Sequence, residues 1–398
     1  MNARTIIDYE KTKHVFMKIL AILPSTAFYG KERSNIEVYH LIKEKANMDV
    51  RILCNNKSCE KLKFYLSNFD VYPILIPSRK MRQFRYFAYL MELLFSNIQF
   101  AYVLFRLKPD ALLLCTETTL YDFFIPLNLF RKKIIYRMGD APCFPGLKMR
   151  FYNKFVWNIL MNHKIDQVIC ISNYILKELE KSGRCNDKDI IIYNYPPKRI
   201  CNIDEQYLYK LSKATIIFGY IGQIIEEKGI ADLLSAFRKV WEIKKDVRLY
   251  IAGSLIYQQE YADELLHSYK YLVDNGTVSF LGEVEDIKCF FSHIDVLCVP
   301  SIKQEPLGNV LVEAKKYSRP CLIYPTGGMP ELIRHCIDGY ICSSATVNAL
   351  EEGLLFFYNH KNDMDKYKDE SRNSIKFKEL DRFNFENKWL NVFCSLYK

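Results

Sequence analysis

The sequence predicts an α/β chain built as two successive doubly wound domains around parallel sheets. Three observations carry that expectation. Short β-branched or apolar runs alternate with longer amphipathic ones along the chain, which is the pattern of repeated βαβ units. The length, 398 residues, exceeds what one hydrophobic core usually serves, and each half is long enough to bury its own. The alternation breaks at Asn194-Tyr-Pro-Pro-Lys, whose two prolines suit neither a helix nor a strand interior, and then restarts.

In the first half the expected strands are Met17–Leu23, Val50–Cys54, Ala111–Cys115, Lys133–Arg137, Gln167–Ile171 and Ile190–Tyr193. Helical patterns separate them, for example at Asn35–Ala46, Phe84–Leu107 and Lys148–Asn162. After the break, strands are expected at Thr215–Tyr220, Val247–Ala252, Thr277–Leu281, Val296–Val299 and Pro320–Tyr324. Helices should run near Ile230–Lys244, Gln258–Asn275, Gly308–Tyr317 and Asn348–Asn359. Sheets of this kind bind ligands beyond the carboxyl ends of their strands, so functional groups are expected in the loops that follow strands, facing a cleft between the domains.

Composition narrows the class. A hydrophobic content of 49% with interspersed charge argues for a folded chain and against disorder or a fibrous repeat. The longest apolar stretches, such as Phe95–Phe105, are interrupted by Ser96, Asn97 and Gln99 and fall short of the roughly 20 residues that span a bilayer, so no transmembrane segment is expected. Met1–Val15 is polar, carries Asp8 and Glu10, and lacks the apolar region of a secretory signal. A cytoplasmic protein follows as the expectation. The 13 cysteines show no CxxC spacing and sit mostly in apolar runs, as at Cys170, Cys298 and Cys321, which fits reduced thiols acting as small hydrophobes. The sequons at Asn56 and Asn275 then carry no glycan.

The net charge of +10 is unevenly placed. From Arg79 to Lys164 the sequence has 14 Lys and Arg against 5 Asp and Glu, a net +9. Within that window, Ser78-Arg-Lys-Met-Arg-Gln-Phe-Arg-Tyr-Phe-Ala-Tyr interleaves cations with aromatics ahead of an apolar helical run. This is the composition of a segment drawn to anionic lipid, and equally that of a solvated basic helix face. No recognition motif supports nucleic acid as the partner of this charge.

Four loops could carry chemistry. In Phe218-Gly-Tyr-Ile-Gly222-Gln223-Ile-Ile-Glu-Glu-Lys228-Gly-Ile a strand ends on glycines and Lys228 stands at the start of a helix, so an ammonium and backbone N–H groups converge where an anion could sit. This is neither GxGxxG nor GxxxxGK[ST], which removes the main support for nicotinamide or P-loop chemistry. In Val299-Pro-Ser-Ile-Lys-Gln-Glu305-Pro-Leu307-Gly308-Asn309-Val310-Leu-Val-Glu313, a strand empties into a loop bearing Glu305, Pro306 disfavours helix at the residue before it, and a helix should begin near Gly308. Carboxylates there can accept from sugar or ribose hydroxyls while the first amides donate to phosphate. A helix start with surface carboxylates has the same sequence appearance. Tyr324-Pro-Thr-Gly-Gly-Met-Pro330-Glu-Leu-Ile repeats strand, diglycine turn and helix start, and Ile22-Leu-Pro-Ser-Thr-Ala-Phe-Tyr-Gly30 follows the first strand.

Taken in order, Gly219-x-x-Gly222 with Lys228-Gly229, Ile251-Ala-Gly253, Phe280-Leu-Gly282, Glu305-Pro-Leu-Gly308-Asn-x3-Glu313 and Gly327-Gly-Met-Pro-Glu331 resemble the C-terminal half of the GT-B retaining glycosyltransferases of family 4. The resemblance runs over roughly Gly219 to Gly339; its EPxGxxxxE element is specific, whereas each glycine alone is weak. It implies two Rossmann-like domains facing a cleft: residues 1–197 on the acceptor side, completed by a C-terminal helix 382–398 with Trp389 and Phe393, and 214–381 binding the nucleotide-sugar. It implies that Lys228 binds the donor diphosphate, that Glu305 contacts the donor sugar, and that the amides of Leu307, Gly308, Asn309 and Val310 hold sugar and phosphate. Glu313 would hold the ribose, Val284 would border the base, and Gly30 would let its loop approach the phosphates, with Gly222, Gln223 and Gly253 lining the donor. No metal and no cofactor beyond the nucleotide-sugar substrate are expected.

Two positions depart from the family pattern. Gln223 stands where members commonly carry Arg beside the diphosphate, keeping hydrogen-bond donors without the charge. In Tyr136-Arg137-Met-Gly139-Asp140 a glycine stands where many members place His beside the donor sugar. Weakened catalysis, an altered donor or a compensating cation such as Arg137 are open readings, and Asp140 is an acceptor-side catalytic candidate beside Glu305 and Lys228. The expected reaction is retaining, metal-independent transfer of a sugar from a UDP- or GDP-linked donor to a glycan or polyprenyl-linked acceptor. The charge distribution suggests cell-surface polysaccharide or lipopolysaccharide assembly at the inner face of the membrane. An epimerase or phosphorylase of the same fold, a catalytically weak nucleotide-sugar-binding subunit and a nucleic-acid binder are the rival classes.

Overall fold

The computed structural model describes residues 17–77, 86–142, 165–182, 187–195, 216–284, 286–377 and 380–396. The aromatic-cationic stretch from Ser78 to Arg85, the helix expected over 148–162 and the Pro-Pro linker from residue 196 to 215 lie outside these residues. The chain divides into two compact units: Met1–Ile171 with Leu176–Ile192 and Glu386–Lys398, and Ser172–Ile175 with Tyr193–Phe385.

The first unit contains β1 (Lys18–Leu23), α1 (Gly30–Lys45), β2 (Asp49–Asn55), α2 (Glu60–Leu66), β3 (Asp70–Ile74), α3 (Tyr86–Leu107), β4 (Ala111–Leu114), α4 (Glu117–Asp122), α5 (Phe124–Leu129), β5 (Lys133–Met138), β6 (Gln167–Cys170), α6 (Asn173–Lys181) from Leu176 onward, and β7 (Ile190–Ile191). All seven strands are parallel, in the order β3-β2-β1-β4-β5-β6-β7. The chain thus winds outward from β1 in one direction and from β4 in the other. Helices cover both faces of such a sheet, so its central strands are continuous apolar runs: Ile19–Leu23 and Ala111–Leu114 are buried at every position.

The second unit repeats the plan with β8 (Ile216–Ile221), a 3₁₀ turn (Glu226–Lys228), α7 (Ile230–Ile243), β9 (Val247–Ala252), α8 (Gln259–Ser268), α9 (Lys270–Asp274), β10 (Val278–Gly282), α10 (Ile287–His293), β11 (Val296–Val299), α11 (Asn309–Lys316), β12 (Cys321–Ile323), a 3₁₀ turn (Met329–Leu332), β13 (Gly339–Ile341), α12 (Val347–Asn359) and α13 (Met364–Phe377). Its six strands run parallel in the order β10-β9-β8-β11-β12-β13. Phe218, Phe237, Leu249, Leu322 and Phe357 are completely buried and form the heart of its core. Beneath α11, the Lys315 ammonium lies 3.2 Å from Asp338, and neither side chain has any exposure. Arg334 bonds the other Asp338 oxygen at 2.7 Å, and Lys315 donates to Ser374 at 2.8 Å, so each member of the pair has a further polar partner. A final helix, α14 (Arg382–Ser395), places its buried Trp389 and Phe393 in the first unit, where the Lys133 ammonium donates to the Leu396 carbonyl.

The two doubly wound parallel sheets are as the sequence leads one to expect, while several elements differ in detail. β3 was not legible because Pro73 interrupts it; the strand sits at the sheet edge, where a missing N–H costs no ladder bond. The helix expected over 258–275 is two helices with a break at Tyr269. The helix expected after Pro330 is a single 3₁₀ turn that ends where Ile333 turns extended. The apolar run judged too short to span a bilayer lies in a continuous helix, α3, of 22 residues, long and apolar enough to do so by length and composition. Only the length of the run is corrected, because Ser96, Asn97 and Gln99 do not break the helix: they serve its packed side, where Ser96 donates to the Leu75 carbonyl, Asn97 to the Asp122 carbonyl, and Gln99 accepts from the Leu75 amide. The ten cysteines among the described residues are all free thiols.

Candidate active site

In a doubly wound sheet the loops on either side of the point where strand order reverses splay apart and leave a crevice for ligands. In the second unit that point lies between β8 and β11, which pair through Phe218–Val296 and Gly219–Leu297. The loop after β8 carries Gly222, Gln223 and Lys228; the loop after β11 carries Glu305 and Gly308. Topology alone therefore brings together two of the segments singled out in the sequence.

The contact is direct. The Lys228 ammonium forms an ion pair and hydrogen bond with Glu305 Oε1, with side chains 25% and 18% exposed. Ser301, buried at the start of the same loop, donates its hydroxyl to that oxygen at 3.0 Å. The main chain locks the two loops side by side: the amides of Ile302 and Lys303 both donate to the Glu227 carbonyl, at 3.0 and 3.2 Å. Gly229 is needed at this seam, since its φ of +70° is left-handed and a Cβ would stand 2.0 Å from the Pro300 carbonyl oxygen.

A third loop fixes Glu305 from behind. The Gly328 amide donates to the Glu305 carbonyl at 2.7 Å, Gly327 donates to the Gln304 side chain at 2.5 Å, and Thr326 donates to the Ser301 carbonyl at 2.8 Å. Glu305 is thus held at its carbonyl, at its carboxylate and through its neighbours. Pro306 ends the extended segment, and Gly308, at φ +81°, turns the chain into α11. The first-turn amides of that helix, which no carbonyl of the helix can accept, begin at Asn309, whose side-chain oxygen accepts from Asn194 at 2.6 Å. Leu307 is buried beneath the turn, Val310 is half-buried, and Glu313 is 4% exposed one turn into the helix.

The remaining donor-side residues line the next strand ends. Gly222 donates to the Ala252 carbonyl at 3.0 Å, and Gly253 donates to Gly282 at 2.7 Å, so the loops after β8, β9 and β10 are joined in series. A Cβ on Gly253 would meet the Gly222 carbonyl oxygen at 2.0 Å. Gln223 accepts at its carbonyl from the buried Tyr220 hydroxyl at 2.7 Å, and Val284 lies half-buried just past β10. Burial pushes the Tyr220 phenol well above its ordinary range, so it stays a neutral donor.

Gly30 and Asp140 belong to the first unit, where the switch point lies between β1 and β4. Gly30 opens α1, and Glu32 in its first turn accepts from the Tyr29 amide at 3.0 Å and from the Ser25 hydroxyl at 2.6 Å, shaping the loop after β1. Lys31, which sequence reasoning passed over, pairs with Asp140 beyond β5. Burial works against the Lys31 ammonium and Asp140 outweighs it, leaving its pKa above the ordinary value. Arg137 does not supply an open compensating cation: it is 2% exposed and bonds Asn35 and Ser34 of α1, with burial lowering its pKa to about 10. The three catalytic candidates thus divide, with Lys228 and Glu305 in contact in the second unit and Asp140 paired to Lys31 in the first. Ser301 was also missed; its only sequence signal was its place directly after the strand-ending Val299-Pro300.

Chemically, the second unit offers an ammonium, helix-start amides and a carboxylate held beside them. Such a set can bind a phosphate while accepting from neighbouring hydroxyls.

Residues 208–374 match the family model described as glycosyl transferases group 1. The chain is 26% identical to the capsular polysaccharide biosynthesis glycosyltransferase CapM of Staphylococcus aureus, over 38% of this chain and 39% of the relative. It is 28% identical to the N-acetyl-alpha-D-glucosaminyl L-malate synthase of Bacillus anthracis, over 44% of this chain and 46% of the relative. The chain therefore spans less than half the length of these curated relatives. Among solved structures, HepE of Anabaena in complex with UDP superimposes with a TM-score of 0.75 at 18% identity, over 95% of this chain and 100% of that one. That likeness establishes the fold, two Rossmann-like units of the GT-B class.

Proposed function

We propose that the chain, whose residues 208–374 match the glycosyl transferases group 1 model, transfers a sugar from a nucleoside-diphosphate donor to a glycan or lipid-linked glycan, with retention at the anomeric carbon. The finer assignment is a family 4 enzyme that needs no metal and works in the assembly of a surface polysaccharide or lipopolysaccharide. The observation that carries the proposal is the Lys228–Glu305 pair at the switch point between β8 and β11.

Lys228 and Glu305 neutralise each other's charge across their ion pair. A donor diphosphate is the stronger partner for Lys228, and when it takes the ammonium, Glu305 is released to accept from sugar hydroxyls. The amides at the start of α11 complete the phosphate cradle. As the bond from the anomeric carbon to the phosphate oxygen lengthens, charge grows on the departing nucleoside diphosphate, and Lys228 with those amides offsets it. The acceptor oxygen bonds to the anomeric carbon on the face that the phosphate leaves, and the acceptor proton passes to the leaving phosphate oxygen. Ser301 holds Glu305 in place throughout. The acceptor docks on the basic N-terminal half, and the enzyme works at the cytoplasmic face.

Incubation with UDP-, GDP- and ADP-sugars, with and without EDTA and lipid-linked glycan acceptors, tests this through acceptor-dependent nucleotide release. Release that persists in EDTA is the expected result; a folded protein that releases nucleotide from no donor overturns it. A second reading, a nucleotide-sugar-binding subunit with little turnover, draws support from Gln223, an uncharged amide on the diphosphate-side loop. It predicts donor binding by calorimetry without release. Isomerised donor or phosphate-dependent cleavage would instead mark an epimerase or phosphorylase.

A further inference from the structure

Helix α3 is apolar on all sides, yet only one side is covered. Tyr89, Ser96, Phe100, Val103, Leu104 and Leu107 are buried and face the unit. At 100° per residue the opposite side is a single stripe of Phe87, Met91, Leu94, Ile98, Tyr102 and Phe105, spaced 4, 3, 4, 4 and 3 apart, each 52–77% exposed. The neighbouring α5 adds Ile125 and Leu129, one turn apart and 66% and 72% exposed. Six large side chains more than half exposed present roughly several hundred Å² of continuous apolar surface, the size that marks an interaction site.

Three features decide what covers it. The helix cannot cross a membrane in this fold, because its packed side is hydrogen-bonded to the Leu75 and Asp122 main chain; it can lie flat on one. The margin is cationic: Arg106 and Lys108 end α3, and Arg131 and Lys132 follow α5. Glu92, the acidic group of α3, has its Oε2 enclosed by protein; Asp122 at the end of α4 is only half-exposed, and the exposed Asp110 beyond Lys108 accepts from the Lys18 amide at 2.8 Å. Two copies meeting through this face would bring Arg106, Lys108, Arg131 and Lys132 of one against those of the other, whereas anionic headgroups complement them. Tyr102 within the stripe, and Tyr86 at 58% exposure beside it, suit the boundary between headgroup and acyl chain.

We propose that the exposed face of α3, with Ile125 and Leu129, docks the protein in plane on an anionic phospholipid surface, the apolar stripe entering the acyl boundary and the cations contacting headgroups. This does not rest on the transferase reading; either can fail without the other.

Flotation of the full chain with vesicles of phosphatidylglycerol and phosphatidylcholine, against phosphatidylcholine alone, tests the proposal. The wild-type chain should float with the anionic vesicles. Leu94→Glu with Ile98→Glu should cut the bound fraction about tenfold or more at an unchanged melting temperature, since both side chains are exposed. Arg106→Gln and Arg131→Gln should each weaken binding about fivefold and flatten its salt dependence. As a second readout, Phe105→Trp should give a fluorescence blue shift on adding the anionic vesicles. Failure of the wild type to float, or full binding by the Glu variant, overturns the proposal. So does a stable wild-type dimer that Ile98→Glu dissociates while neither form takes up lipid, an outcome that assigns the face to a second copy.

Discussion

Lys228 and Glu305 stand 77 positions apart in the chain and form a hydrogen-bonded ion pair where the loops after β8 and β11 leave the second sheet. The pair exists because β8 and β11 are neighbours at the switch point, so the loops leaving them must run side by side.

Removing the ammonium tests that pair most sharply. Lys228→Met should lower turnover of the best donor about 10²–10³-fold, the loss typical when a charge-stabilising donor is deleted at a leaving group. Glu305→Gln should also lower activity while leaving nucleoside diphosphate affinity, measured by calorimetry, within a few-fold, because the carboxylate is assigned to the sugar and not to the phosphate.

Ser301→Ala should act through Glu305. Losing one hydrogen bond to a carboxylate costs about 1.5–3 kcal/mol at most, so turnover should fall roughly ten- to a hundredfold with fold intact. Thr restoring the hydroxyl at this position should recover activity, and an Ala variant with wild-type kinetics would remove Ser301 from the site.

Gly229→Ala places a methyl against the Pro300 carbonyl and forces a left-handed φ on an L residue. A loss of about 1–3 kcal/mol or more is expected in urea unfolding, with activity impaired because the same seam positions Lys228.

Asp338→Asn leaves Lys315 charged and buried without its counter-ion, which should cost about 3–5 kcal/mol in the second unit. Replacing Lys315 with Met and Asp338 with Leu together should recover most of that loss; if Asp338→Asn alone is harmless, the pair is not holding the unit.

Acid stability should depend on Asp246. The Lys361 hydrogen bond holds its carboxyl below the ordinary 3.8, burial opposes the shift, and Tyr358 reinforces it. The folded pKa being depressed, the contribution is present above 3.8 and is lost as pH falls through the folded value. The urea midpoint of Asp246→Asn should therefore lie below wild type at neutral pH and converge with it below that range.

The sequence by itself determined the doubly wound pattern, because parallel strands buried on both faces must be apolar runs and the helices between them must be amphipathic. It also determined the glycine-marked strand ends, because turns such as those at Gly229 and Gly308 admit few other residues. It missed β3, since Pro73 is tolerable only at an edge and edge position is a property of the assembled sheet. Only tertiary structure joined Lys228 to Glu305 and brought Ser301 beneath them, since strand order, not sequence distance, chooses neighbouring loops. It alone turned Arg137 from a conceivable site cation into a core tie. The same holds for α3: a uniformly apolar run says nothing of which side packs, and burial of Phe100 and Val103 against the unit is what leaves Phe87 and Ile98 facing outward.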